Sequence, residues 1–485
     1  MSPRRTAIEF VRSRLGVDSK SVGYKSGFAS GSEKFAYVKQ YANNLPFVNA
    51  VANVSWKDDK VVAFGSSFVK SKKIASANPT VEVSSFLSKI EASLGGKYNN
   101  HPTTLEYLAR PDGTAALVHV VQIQNEEFNT WFEAYVDAHT GELLSVTDFT
   151  SNASYRVLPI TKKIITEGLE TLTNPQDLTS SPYGWHSVGT TNYTTTEGNN
   201  VVAYKTSSST GLDFNYVYDP TQAPTTTANL NAARVNAFYT INVVHDFAYR
   251  YGFTEAAFNF QNNNFGKGGS ANYRVKISVQ DTSGTNNANF ATPPDGQSGT
   301  CRMYIWTYTT PNRDGSLEND IVVHEMTHGI INRLTGGGTG RCLQTTEAGG
   351  LGEGWSDALA DLSNSFFTGT HFLTYRTGIG EVWANILHNV YAALVSQYGW
   401  SATARTNPSG TEGNIVYLHL FLDALALQPC NPTFVTARAA WIQADQNRYG
   451  DANKCLLWKA FASRGLGANA VSASYVNNFA VPTGC

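Results

Sequence analysis

Residues 320–338 read DIVVHEMTHGIINRLTGGG. His324 and His328 are four apart, so a helix through them sends both imidazoles off one face, one turn apart, where they can grip a single ion. Glu325 lies between them in sequence and is placed to orient and deprotonate a water held by that ion. Ile321, Val322, Ile330, Ile331 and Leu334 supply an apolar side that buries the helix, and Gly336, Gly337 and Gly338 end it. The pattern predicts a helix over 318–335.

Twenty-five residues beyond His328 comes Glu353, inside GGLGEGWSDALADL. After so many glycines the stretch reads as a turn, with Glu353 expected to open a new helix. A carboxylate there completes a His324, His328, Glu353 set and leaves the fourth position of one tetrahedral Zn2+ per chain to water. Asp357, one turn on, is placed to receive the second ring N–H of a ligand histidine and fix its tautomer. Zinc lowers the pKa of its bound water to about 7 and polarises a carbonyl. Glu325 would take the proton as the hydroxide attacks and pass it to the leaving amine. Metal-assisted hydrolysis of an amide follows as the reaction class.

Outward from this pair of motifs the texture changes twice. Residues 1–148 form a separate α+β stretch: an amphipathic first helix, the hairpin-like FVNAVANVSW and KVVAFGSSFV, a second helix in VEVSSFLSKIEASLGG, then the strands AALVHVVQI, TWFEAYV and ELLSVTDF. Residues 149–352 are Thr, Ser, Asn and Gly-rich with short strands and the metal helix. Residues 353–485 are almost entirely helical in spacing. A β-rich lobe followed by an α-helical lobe invites a cleft between them.

The chain has 485 residues, 41% of them apolar and only 15% charged, with a formal net charge of −2. Low hydrophobicity with high net charge, the signature of disorder, is missing. No Lys/Arg run forms a nucleic-acid stripe, and no apolar run approaches the roughly 20 residues of a membrane span. MSPRRTAIEFVRSRL carries Arg4 and Arg5 but no apolar core behind them, so either a secretion signal lies upstream or the protein stays inside. The sequons at Asn53, Asn152 and Asn192 matter only in a secreted chain. Among five cysteines, Cys430 and Cys455 flank a helical stretch and are expected to be within bridging reach. His245, His388 and His419 are expected to be packing residues. Asp314 to Asp320 is rich enough in acids to hold calcium, but no loop shows EF-hand spacing, and calcium is unsupported.

HEMTHGIINRLTGG followed by AGGLGEGWSD resembles the fungalysin family of secreted fungal zinc endopeptidases, relatives of thermolysin with a glutamate as third zinc ligand. The resemblance implies a small α+β inhibitory propeptide, then a thermolysin-like catalytic domain of two lobes with the zinc helix between them. YVDAHTGELLSVTDF matches the propeptide's end and SYRVLPI the start of the mature enzyme. NNANFATPPDG resembles the substrate-pairing edge strand, which implies Asn287 and Ala288 as substrate contacts, and LQPCNPTFVTARAAWIQADQNRYG matches the C-terminal helices. Carried over, His324, His328 and Glu353 become the zinc ligands, Glu325 the base and Asp357 the supporting carboxylate. The implied protein is an extracellular, self-processing precursor that cuts proteins or peptides and is inhibited by its own propeptide. Two features depart from the family. Thr377, in TYRTGIGEVW, stands where a histidine stabilises the oxyanion, and the connection from Ser365 to Gly380 is short. They imply zinc binding with impaired turnover as the alternative, unless His371, Tyr375 or Arg376 substitutes.

Overall fold

In the strand Leu45–Lys57, Ala50, Ala52, Val54 and Trp56 are buried while Val51 and Asn53 face outward, the two-residue period of a half-covered strand. The same logic organises the first of two compact units, Met1–Ser151 and Asn152–Cys485. The computed structural model describes residues 3–30, 33–58, 60–125, 130–148, 153–205, 211–365, 378–472 and 475–485.

The first unit is built on one ten-stranded sheet. Its main path runs Val22–Ser30, Glu33–Ala42, Leu45–Lys57, Thr104–Ala109, Thr114–Asn125, Thr130–Asp137, Leu143–Asp148. Neighbours are antiparallel except at one joint, where Phe47 pairs in parallel with Tyr107. Each half has its own helix. Helix α1 (Pro3–Leu15) lays Ala7 and Val11 against Val38, Val54 and Trp56. Helix α2 (Val83–Leu94) lays Phe86 and Ile90 against Val121, Ile123 and Ala134, and stops at Gly95, whose φ of 63° suits a residue without Cβ.

The second unit begins with short strands. Val201–Tyr204, Val275–Ser278 and Thr300–Met303 pair in parallel, and Ala288–Ala291 adds antiparallel as the end strand of that sheet. Helix α3 (Thr227–Arg250) is buried along nearly its whole length, which is why it carries Asn236, Thr240 and Asn242 inside as hydrogen-bonding residues. The described helices that follow are α4 (Asn319–Leu334), α5 (Thr346–Ser365), α6 (Gly378–Tyr398), α7 (Gly413–Leu427), α8 (Phe434–Tyr449) and α9 (Lys454–Ser463). Their core is aromatic. Trp355 of α5 stacks on Trp441 of α8 at 5.8 Å and 6°, and meets Phe421 of α7 edge-on at 4.7 Å and Trp383 of α6 at 5.4 Å.

One expectation is corrected here. Glu353 does not open a helix; α5 already starts at Thr346 and runs straight through Gly349, Gly350, Gly352 and Gly354. Gly350 and Gly354 are there for contact rather than for a turn. A Cβ on Gly350 would lie 2.5 Å from Ile379, and one on Gly354 would lie 2.5 Å from the Gly380 carbonyl and 2.7 Å from Trp383 Cβ. Close helix crossing outweighs the cost of about 1 kcal/mol per interior glycine. Gly354→Ala is therefore expected to lower unfolding stability by about 1–3 kcal/mol, because the backbone of α6 has to move; chemical denaturation reads this directly. A variant as stable as the parent would show that the helices separate freely.

The cysteines also pair differently from expectation. Cys342 bridges Cys430 across 88 residues and Cys455 bridges Cys485, while Cys301 is free and buried. Asn431 N donates to the Cys342 carbonyl and Gln344 N to Asn431 Oδ1, so two backbone loops meet at the first bridge. His245 is buried beside Asp246 and His419 Nε2 donates to the Pro408 carbonyl at 2.8 Å, but His388 is exposed and faces Asp361 at 3.1 Å rather than packing.

Candidate metal centre

Helix α4 delivers His324 and His328 to one face, with ring centroids 4.7 Å apart and planes at 84°. Helix α5 crosses it and delivers Glu353. Its Oε2 lies 3.2 Å from His324 Nε2 and 3.4 Å from His328 Nε2, and ligand atoms of the three residues lie within 4.8 Å of one another. Among the described residues this is the one group of three or more His, Cys, Asp or Glu so arranged. Asp314 instead accepts from Ser316 N and Gln280 Nε2, and Asp320 pairs with Lys163 at 2.8 Å.

The far sides of both rings are held by the same helix that carries Glu353. His324 Nδ1 donates to Asp357 Oδ1 at 2.8 Å, and Ser356 Oγ lies 3.2 Å from His328 Nδ1. Positions 353, 356 and 357 share one face of α5. Ser356 did not stand out in the sequence. The signal that reveals it is its place three residues after Glu353, once a continuous helix is drawn there.

Electrostatics bind the cluster. Burial works against charge on His324, yet its contacts with Asp357 and Glu353 raise its pKa to about 10. Burial alone would raise Glu353, but hydrogen bonds from His324 and His328 hold its carboxyl well below the usual range. Carboxylate oxygens thus face both ring nitrogens of His324, Asp357 at Nδ1 and Glu353 at Nε2. His324, His328 and Glu353 would hold a divalent metal, with Asp357 receiving the Nδ1–H of His324. Two imidazoles and a carboxylate converging from two helices are a donor set that such a metal fits. Glu325 is raised by burial, an effect that the charges of His328 and His324 partly offset. Its Oε2 is buried with no hydrogen-bond partner among the described residues.

The centre opens on a cleft of about 460 Å³ lined by Asn287, Ala288, Phe290, Ile321, Leu343 and Glu325, among others. Asn287 and Ala288 thus lie on the same cleft as the metal cluster, at the start of the end strand. Phe290 packs against Gly329 of α4, where a Cβ would come within 2.9 Å of its ring, and this holds the strand close to the helix. Asp357→Ala is expected to weaken metal affinity about 10–100-fold by freeing the His324 ring, as measured by competition with a chromogenic chelator. Affinity equal to the parent's would show that Asp357 does not orient the ring.

A buried carboxyl beside three side chains able to hold a metal, all lining one cleft, is the arrangement of a metal-dependent hydrolase. The family comparisons agree and narrow it. The model of the fungalysin metallopeptidases matches residues 154–370 and 364–470, and the chain belongs to that family. The chain is 39% identical to the extracellular metalloproteinase MEP of Pyricularia oryzae over 543 aligned residues, covering 94% of this chain and 85% of the relative. It is 36% identical to the extracellular metalloproteinase mep of Aspergillus fumigatus, covering 98% and 84%. Extracellular metalloproteinase 3 of Arthroderma benhamiae is also 36% identical, covering 93% and 84%. These alignments are longer than the chain's own 485 residues, and the family match falls in two segments that overlap at residues 364–370. His371, Tyr375, Arg376 and Thr377, with most of the short connection from Ser365 to Gly380, lie outside the described residues. No helix among the described residues is long and apolar enough to cross a membrane.

Proposed function

We propose that this metallopeptidase is the precursor of a secreted zinc endopeptidase, with His324, His328 and Glu353 holding the ion and Glu325 as general base. The observation that carries the reading is the convergence of both imidazoles on the Glu353 carboxylate in the lining of the cleft. Zinc, when bound, acidifies a water to a pKa of about 7 and polarises the scissile carbonyl. Glu325, with an unpartnered buried oxygen and a carboxyl raised by burial, takes up the proton of the attacking water and hands it to the leaving amine. Asp357 and Ser356 keep the two ligand rings from turning. The end strand Ala288–Ala291 pairs with an extended substrate backbone, Asn287 and Ala288 making its first contacts, and Phe290, Leu343 and Ile321 favour an apolar side chain after the scissile bond.

Residues 1–148 act as an intramolecular inhibitor that is removed on activation. The support for this is a separate compact first unit followed by the catalytic family match from residue 154. Secretion is supported by the similarity to extracellular metalloproteinases. The test is hydrolysis of a quenched casein by the chain freed of its first unit, with and without 1,10-phenanthroline. Phenanthroline-sensitive cleavage is expected. A folded, zinc-loaded sample that cleaves nothing overturns the peptidase assignment and leaves the impaired, binding-only alternative. Adding back the separately expressed first unit is expected to slow cleavage, and an unchanged rate removes its inhibitory role.

A further inference from the structure

Asn319, the first residue of α4, is fully buried and uses both ends of its amide. Its Nδ2 donates to three carbonyl oxygens of one stretch of chain: Leu158 at 3.0 Å, Pro159 at 2.9 Å and Lys162 at 2.8 Å. With two hydrogens for three acceptors, at least one of these bonds is shared. Its Oδ1 accepts from Asn236 Nδ2 at 3.0 Å and Thr240 Oγ1 at 3.1 Å, both on α3. Its backbone N–H donates to the Lys163 carbonyl at 2.9 Å. Asn236 closes the set, accepting from Leu158 N at 2.8 Å and donating to the Ser316 carbonyl at 2.8 Å. One residue on, Lys163 Nζ pairs with Asp320, a residue that lines the cleft.

Apolar contacts let a helix slide or turn by fractions of an ångström at little cost. An amide with donor and acceptor ends both engaged in a dry interior accepts one register, since any shift strands a buried polar group. His324 follows Asn319 by five residues on the same rigid helix. The register set at Asn319 therefore decides where His324, Glu325 and His328 arrive relative to Glu353 on the separate helix α5.

We infer that Asn319 is a positioning residue of the catalytic helix, and that residues 158–163 belong to the active-site scaffold through it. The inference rests on the peptidase reading for its kinetic consequence but not for its structural one. Segment 158–163 follows closely on the boundary between the two compact units at Ser151 and Asn152. Processing that trims the catalytic unit past Leu158 removes the first of these acceptors, and each further residue up to Lys163 erodes the set, so the tolerated cleavage window ends at Leu158.

The test compares Asn319→Asp, which keeps the volume but turns an oxygen toward three carbonyls, with Thr240→Val, which removes one bond and keeps the shape. The full-length chain of each is loaded with cobalt in place of the native ion and its visible absorption spectrum, metal content and Tm are recorded. Kinetics are measured after proteolytic removal of the first unit. Asn319→Asp is expected to shift the cobalt bands and lower kcat about tenfold or more with KM changed less than about threefold, since small misplacements of reacting groups cost large factors in rate. Thr240→Val should move both readouts in the same direction by less. A folded Asn319→Asp protein with the parent's cobalt spectrum and a kcat within twofold overturns the inference. If that variant does not fold, Thr240→Val decides, and a parental spectrum with parental kcat overturns it. A parent that cleaves nothing, but whose cobalt spectrum depends on Asn319, supports the positioning role while removing the peptidase reading.

Discussion

Glu325→Gln is expected to lower kcat by about 10²–10⁴, the range that a well-placed general base contributes, while zinc stays bound near one per chain. The amide is nearly isosteric with the carboxylate, so the buried site, 6% exposed, is filled without a cavity. What disappears is the ability to accept a proton. None of the three donor atoms gathered for the ion belongs to Glu325, so affinity for the metal should change little. An interaction made only on the way to the transition state lowers kcat and kcat/KM together with KM nearly constant. Steady-state kinetics with metal analysis on the same sample separate these outcomes. A variant retaining a tenth or more of parental kcat would mean that another group takes the proton.

Trp441→Ala should produce the largest loss of stability, about 3–5 kcal/mol, as a fully buried indole is deleted from a core that collapses only in part. Trp441 touches four rings: stacked Trp355, with Tyr417, Phe421 and Phe461 around it. Trp355 lies between Glu353 and Ser356 in sequence and faces the core while they contact His324 and His328. Loosening its stack lets α5 rotate, so metal affinity should fall with stability even though Trp441 touches no ligand. Denaturant unfolding and chelator competition test the two halves. Stability within 1 kcal/mol of the parent, or a metal affinity untouched by a large stability loss, would break the proposed link between core and site.

Local periodicity carried most of the candidate site. The four-residue spacings of His324 with His328 and of Glu353 with Asp357 are consequences of helical geometry alone, and any helix built through them produces two paired faces. The alternation in Leu45–Lys57 and the spacing of Phe86 and Ile90 announced an α+β first unit in the same way, because burying one face of a strand or helix is a local demand.

Other features could not be read locally. The start of α5 at Thr346 was hidden because glycine is a poor helix former, and only the approach of Gly380 and Trp383 shows why its cost is accepted at Gly354. The partner of Cys430 was hidden because a bridge depends on where loops 88 residues apart meet, which spacing does not encode. Ser356 and Asn319 were overlooked because a serine or asparagine has no meaning as a positioning group until its partners, His328 on another helix and Leu158 on a distant segment, are in place. By itself the sequence determined which residue types could gather and on which helical faces, since those follow from a period of 3.6. Only the tertiary structure decided that the faces meet, how the rings are held from behind, and which buried amides set the register, because each depends on contacts between residues far apart in the chain.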